Sequence, residues 1–515
     1  MNKFRLNRAP AVILLTAGII TLTGIYLTSV HAEKSGVYSQ SGGTVTETDK
    51  AYAATSPDQS GVYVNNSGTY TLIGSKITKT GDTSSTEDSD FYGLNAGVLA
   101  ENDSTVTLTD CTVTTDAKGA NGVFAYGEGS SVTINNVTIT TSKDSSRGID
   151  ATDNGIITAN SCNITTTGAH CAAIASDRGS GKVIVRGGTF TTAGTDSPPI
   201  YCTGGFEIMG ATLKGTGSEA AVIEGANSIT LSDCTLSGAK NRGVMIYQST
   251  SGDATGTNGT FNMTGGSLTA AVGPLFYVTN STGIINLTAV TTTATSGTLV
   301  QAAADSWGTS GSNGGTVILT ANLQTMNGNL ICDSSSSITA TLADNSSLTG
   351  TINTAALTLD ATSKWSVTGD SYLTSLNDAD TTFANINDNG HTIYYDSSLS
   401  ANSWLGSKTY YLTDGGKITP GTASPSATLT PSPTVTASPE SSVMPSATVI
   451  TVIPTETVSP TTTVRPTTTV SPTVTVRPTT TVSPTATVRP TPSPSCRPSR
   501  NHWWWWPWQW WRWWR

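Results

Sequence analysis

Apolar and polar residues alternate with period two over long stretches of this chain, and the alternating segments themselves recur. Residues 104–115 read STVTLTDCTVTT and residues 131–141 read SVTINNVTITT. Shorter copies follow at 161–166 (SCNITT), 187–192 (GGTFTT), 210–214 (GATLK), 233–237 (DCTLS) and 265–269 (GGSLT). The equivalent positions Cys111, Val137, Cys162, Gly188, Ala211, Cys234 and Gly266 lie 26, 25, 26, 23, 23 and 32 residues apart. Period two is that of a strand with one buried face. A repeat of this length is the mark of a solenoid.

Each copy supplies three apolar pairs. One series is Val106/Leu108, Val132/Ile134, Val183/Val185, Phe206/Ile208 and Ile229/Leu231; the next is Cys111/Val113, Val137/Ile139, Cys162/Ile164, Ala211/Leu213 and Cys234/Leu236. After a polar loop come Val123/Ala125, Ile149/Ala151, Ile200/Cys202, Val222 and Val244/Ile246. Three short strands joined by Gly, Asn, Asp and Ser turns make one coil of a parallel β-helix. Such a coil buries its inner face only by stacking on its neighbours. Tyr70/Leu72 with Ile77 predicts an early coil; Leu287 with Val290, and Val317/Leu319 with Leu323, predict later ones. The expected domain is all-β, a right-handed parallel β-helix of ten to twelve coils over residues 33–418. At about 4.8 Å per coil it is a rod of about 50–60 Å.

Composition agrees. Only 12% of the 515 residues are charged, against about 25% in ordinary globular proteins, which disfavours helical bundles and doubly wound α/β enzymes. A net charge of −9 argues against a nucleic-acid partner. Seven cysteines without a CxxC pair offer no zinc site. Cys111, Cys162 and Cys234 fall in one ladder at least two coils apart, about 10 Å, too far for a disulfide.

The flanks differ. Lys3, Arg5 and Arg8, an apolar run from Ala11 to about Leu27, and Val30-His31-Ala32 predict a signal peptide over 1–32. The run is nearly long enough for an uncleaved anchor; both readings put the rest outside the cytoplasm. From Thr419 to about 500, Pro, Thr and Ser dominate, with Val-Arg-Pro at 464–466, 476–478 and 488–490. This predicts an extended stalk. The stalk and tail carry seven Arg and two Glu, net +5, which leaves −14 for the remainder. Residues 501–515 hold nine of the twelve Trp. They read either as a glycan- or membrane-surface segment, or as a frameshifted Gly-rich linker, since the Trp codon TGG becomes the Gly codon GGT in another frame.

The coil pattern resembles the pectin-lyase-like right-handed parallel β-helix repeat of secreted bacterial proteins. Residues 365–376 (WSVTGDSYLTSL) and 387–394 (NDNGHTIY) resemble the closing coils of adhesin-like members. That resemblance implies an exported or cell-surface protein, but the architecture hosts lyases, hydrolases, adhesins and non-catalytic sugar binders alike. The pectin-degrading enzymes it resembles use clustered Asp, often with calcium, and an Arg or Lys base. Here the expected outward positions of the third strand are Phe124/Tyr126, Asp150/Thr152, Ile174/Ser176, Tyr201/Thr203, Ile223/Gly225 and Met245/Tyr247. Only Asp150 among them is acidic, so no paired carboxylates and no catalytic residue are predicted; loops could still bring in Asp88, Asp90 or Asp177.

The sequence favours a binding surface. Tyr126, Tyr201, Tyr247 and Phe276 are expected on one face with Phe124 beside them, where rings stack on sugars. Asp150, Asp153, Arg178 and Arg242 would read hydroxyl or carboxylate groups. The expected function is non-catalytic binding of polysaccharide, an acidic plant-type polymer in particular. The expected protein is a monomer that reaches a cell wall or membrane surface through its tail. Alternatives are a lyase or hydrolase of the pectin-degrading type, a purely structural surface protein, and an ice-binding protein built on the Thr columns 112, 138, 189, 212, 235 and 114, 140, 165, 191, which Asn163 and Lys214 respectively interrupt. No cofactor or metal site is predicted; calcium stays open.

Overall fold

The computed structural model describes residues 32–422. Of the predicted signal segment only Ala32 is among them; the stalk beyond residue 422, the Trp-rich tail and Cys496 lie outside the described residues.

Three strands per turn wind a parallel solenoid. We call the sheet containing Val123–Tyr126 sheet I, that containing Ser131–Asn135 sheet II, and that containing Thr138–Thr141 sheet III. Each strand pairs in parallel with its equivalents one coil before and after, as in Val123↔Val98 and Val123↔Ile149. Sheet I runs from Ser35–Ser41 to Lys417–Pro420. It makes about 15 turns, a stack of about 70 Å, longer than the ten to twelve coils the sequence suggested. The extra turns lack the Cys/Thr landmarks. The strand Ile352–Leu359, for example, runs straight through two sheets, pairing with Asn329–Cys332 in sheet I and Ser337–Ala343 in sheet II.

The corner between sheets II and III explains the recurrent Gly, Asn and Asp. Coil after coil, a residue there adopts the left-handed conformation: Asp110, Asn136, Ser161, Gly187, Gly210, Asp233, Gly265, Ala289, Leu323 and Asp344 all have φ between +50° and +68°. Gly, Asn and Asp are the residue types that tolerate it best; Ser161, Ala289 and Leu323 are the exceptions. Leu323, read from sequence as an inward residue, is such a corner; it is 59% exposed, and Met326 fills the interior instead. Inside, the predicted ladders form one continuous apolar core. All six described cysteines are buried and free. The second Thr of each Thr-Thr pair also faces inward: the hydroxyls of Thr141 and Thr166 donate to the carbonyls of Ser146 and Cys171, 2.6 and 2.5 Å away. One coil earlier than Thr115 the same column holds a buried lysine, Lys79. Its ammonium donates to the Ser56 carbonyl at 2.7 Å.

The first coil is built differently. Tyr38, Gln40, Val45, Glu47 and Tyr52 take the places held one coil later by Val62, Val64, Tyr70, Leu72 and Ile77. Glu47 accepts hydrogen bonds from the hydroxyls of Tyr52 and Tyr70.

Three insertions rise around sheet I. The first, between Lys76–Lys79 and Val98–Glu101, carries the helix Thr86–Tyr92, which we call α1. The others are residues 248–257 and 303–315.

Candidate functional site on the outer face of sheet I

The outward column of sheet I reads Leu99, Phe124, Asp150, Ala175, Tyr201, Val222, Met245 and Tyr277. Glu101, Tyr126 and Thr152 form a second column, in which Glu224 and Tyr247 pair further along. Asp177 follows at the end of its strand, after the inward Ser176.

α1 lies over the early part of this face. The Ser85 hydroxyl caps it by accepting the Asp88 N–H at 3.1 Å, and Gly93 (φ +74°) ends it. A Cβ at Gly93 would meet Leu99 and the Phe124 ring at 2.7 Å, so only glycine allows the chain this close. Three polar links hold the helix. Thr152 Oγ1 donates to the Phe91 carbonyl at 2.8 Å. Asn121 Nδ2 donates to the Ser89 carbonyl at 2.9 Å. Arg147 Nη1 lies 2.5 Å from Asp90.

Arg147 also places Nε 2.8 Å from Asp177. Asp90, Arg147, Asp150 and Asp177 are all buried. No N–H or O–H donor reaches either oxygen of Asp150. The Asp177 carboxyl stands beside it and acts on it electrostatically. Burial, then the Asp177 charge, holds the Asp150 carboxyl far above the usual carboxylate range. Burial opposes the charge of Arg147, but Asp177, Asp90 and Asp150 outweigh it and keep the guanidinium protonated.

Further along, Glu224 is buried among hydroxyls. It accepts from Tyr201 at 2.6 Å, from Tyr247 at 2.8 Å, and from Ser249 of the 248–257 insertion. Burial pushes its pKa up to about 7 although the three donors favour the anion. Beyond it, Arg242 stacks on the Tyr277 ring, 4.2 Å from the centroid, near Asp305 and Glu219.

Between these clusters a half-exposed patch remains. Tyr92 of α1 meets Tyr126 edge to face at 5.5 Å. Arg178 lies 3.6 Å from the Phe91 centroid and 2.6 Å from Asp253. Asp153 is half-buried and lies within electrostatic reach of Tyr92, Tyr126 and Arg178. Rings beside charged hydrogen-bonding groups on a parallel solenoid narrow the comparison to proteins of that architecture. Against protein-family profiles, residues 1–261 match the right-handed beta helix region.

The chain belongs to this right-handed β-helix family. No curated protein matches it.

The β-helix geometry sorts the predicted site residues. Tyr126, Asp153 and Arg178 come together at the half-exposed patch. Phe124 and Asp150 share the outer face but are fully buried beneath α1 and its loop. Tyr201 and Tyr247 also face outward, yet they pack with Val222, Met245, Tyr277 and Trp307 in a second apolar cluster. Phe276 is corrected: it stands in register with Val244 and Val300 and points into the core, so Tyr277 is the outward aromatic. Arg242 lies with Tyr277, away from Tyr126.

Two further corrections concern acids. Ile174 and Ile223 belong to the inner core, so Ala175 and Val222 face outward and Asp177 and Glu224 join the outer face. Two of the acids that the sequence left to loops do reach Asp150: Asp177 stands beside it just after its strand, and α1 brings Asp90. Residues 172–175 and 220–223 are apolar throughout because both sides are covered, and there period two vanishes. The helix itself had a readable signal in Ser85, Glu87, Asp88 and Gly93. Among the described residues, no group of three or more His, Cys, Asp or Glu is arranged to hold a metal ion.

Proposed function

We propose that this β-helix binds polysaccharide on the outer face of sheet I, with the Tyr92–Tyr126–Asp153–Arg178 patch as the contact surface. The observation that carries this reading is the pairing of half-exposed rings with charged groups on a rigid sheet. Rings cover the apolar faces of sugars while carboxylate and guanidinium take their hydroxyls. Rigid strands make such a surface cheap in entropy to present. In this proposal residues 1–32 export the domain, and residues 419–515 carry it at the cell surface.

Affinity electrophoresis of the full chain in gels of neutral, acidic and amino-sugar polysaccharides tests the reading. Retardation by at least one polymer, reduced in Tyr126→Ala and Arg178→Ala, is the expected result. Mobility unchanged in every polymer overturns it.

One observation favours a second reading, a glycan-cleaving enzyme of the pectin-degrading type: two neighbouring buried acids, Asp150 and Asp177, on the outer face of sheet I beside Arg147. Release of reducing or unsaturated sugar ends, lost in Asp177→Asn, would carry it. Its absence across the same polymers leaves the binding reading alone.

A further inference from the structure

We infer that Lys34 occupies, from within the chain, an ammonium site on the outer face of sheet I, and that the natural occupant of that site is the amino group of an amino-sugar glycan. The inference rests on the binding reading above and names the ligand chemistry.

Lys34 precedes the first strand, Ser35–Ser41, and residues 32–34 form no strand. Its side chain nevertheless reaches across the face to Glu101, two coils further on, and bonds to one carboxylate oxygen. The Tyr63 hydroxyl donates to the other oxygen, and Asn65 Nδ2 donates to the Tyr63 hydroxyl at 2.9 Å. The carboxylate is thus fixed from behind. The Lys34 ammonium sits 4.5 Å from the centroid of the Tyr126 ring, and Asp88 of α1 adds a second negative charge within reach. A carboxylate held rigid, an aromatic face and a second acid are what binds an ammonium group. Its side chain is only 13% exposed, and burial pushes the Lys34 pKa down.

The same surface is poorly suited to a uronate polymer. Arg178 is committed to Asp253 and Arg147 to Asp90 and Asp177. Among the described residues, Asp153 forms no ion pair, and with Asp88 and Glu101 it leaves the patch negative around Tyr126. An amino sugar satisfies both halves of the patch: its ring stacks on Tyr126 or Tyr92, and its ammonium replaces that of Lys34. Residues 32–34 are the strap that must lift.

Calorimetry on the full chain with fully deacetylated glucosamine trimer, its N-acetylated counterpart and trilysine tests this. Lys34→Ala is expected to raise affinity for the glucosamine trimer about tenfold, the scale of one displaced cation–π and carboxylate contact, and to leave the acetylated trimer unchanged. Adding Glu101→Gln should abolish the gain, with an unchanged circular dichroism spectrum showing that the β-helix persists. In the unmutated chain the glucosamine trimer should speed amine labelling of Lys34. Equal affinity for both trimers, trilysine binding as tightly as the sugar, or no gain in Lys34→Ala overturns the inference. Retention of polysaccharide with no preference for the amino form would sink this inference and spare the binding reading; retention of none sinks both.

Discussion

Arg147 and Asp90 form a buried ion pair, 2.5 Å apart, between a loop entering sheet I and the helix that covers it. A seven-residue helix has little stability of its own, so this pair and its two backbone hydrogen bonds decide whether α1 stays down. Arg147→Ala leaves Asp90 and Asp177 buried without their cation. A cost of about 3–5 kcal/mol is expected. Denaturant unfolding checks the total, and hydrogen exchange at residues 86–92 checks that the helix opens first. Unchanged exchange there would mean that apolar packing alone seats it.

Glu224 makes stability depend on pH. Its folded-state pKa of about 7 lies above the ordinary glutamate value. Its contribution is therefore whole below the ordinary carboxylate range and is lost as pH rises through about 7. Asp150, also shifted upward, acts in the same direction. The urea midpoint should fall between pH 5 and pH 8. Glu224→Gln should flatten that fall, and adding Asp150→Asn should flatten it further. An identical slope in the double variant would show that these acids do not govern it.

Lys79 predicts the opposite slope at higher pH. Burial pushes its pKa down to about 8, while the unfolded chain keeps it near about 10.4. Between these values the unfolded state holds more protons, so stability rises with pH. Lys79→Met should raise stability at pH 7 and remove that rise, read as urea midpoints at pH 7, 9 and 10. A lower midpoint for Lys79→Met at pH 7 would mean that its bond to Ser56 outweighs the buried charge.

The solenoid was plain in the sequence because its code is redundant. Val106, Val132, Ile157 and Val183 each repeat the same instruction, and an error at one coil is corrected by the next. The site is not redundant. Glu224 escaped notice, and Asp177 was named only as an acid that a loop could bring in, because Ala175 and Val222 are apolar on a face that is normally polar. Phe276 was read as outward, but one residue of shift exchanges the two sides of a strand, and Tyr277 holds the outward position. Asp90 is delivered by an insertion that interrupts the repeat, so no ladder predicts where it lands. Tyr126, Asp153 and Arg178 were found because each stands at the exposed end of a regular strand or in the turn after one.

Leu323 offers a test of the corner rule. It holds φ at +50° where most coils use Gly, Asn or Asp, and its side chain is exposed. The left-handed conformation costs a leucine roughly 1–2 kcal/mol. Leu323→Asn should stabilise the domain by about 1 kcal/mol in urea unfolding. A loss of stability would show that the leucine packs on its neighbours in solution.

The inward Glu47 of the first coil bears on how such proteins avoid polymerising. Open parallel strands are natural templates for another copy. A second molecule adding there would have to strip water from this carboxylate and from Gln40, where the next coils present Leu72 and Val64, then Leu108 and Ala100. A charge placed here opposes end-to-end addition, and Glu47→Leu is expected to make the domain assemble into fibres.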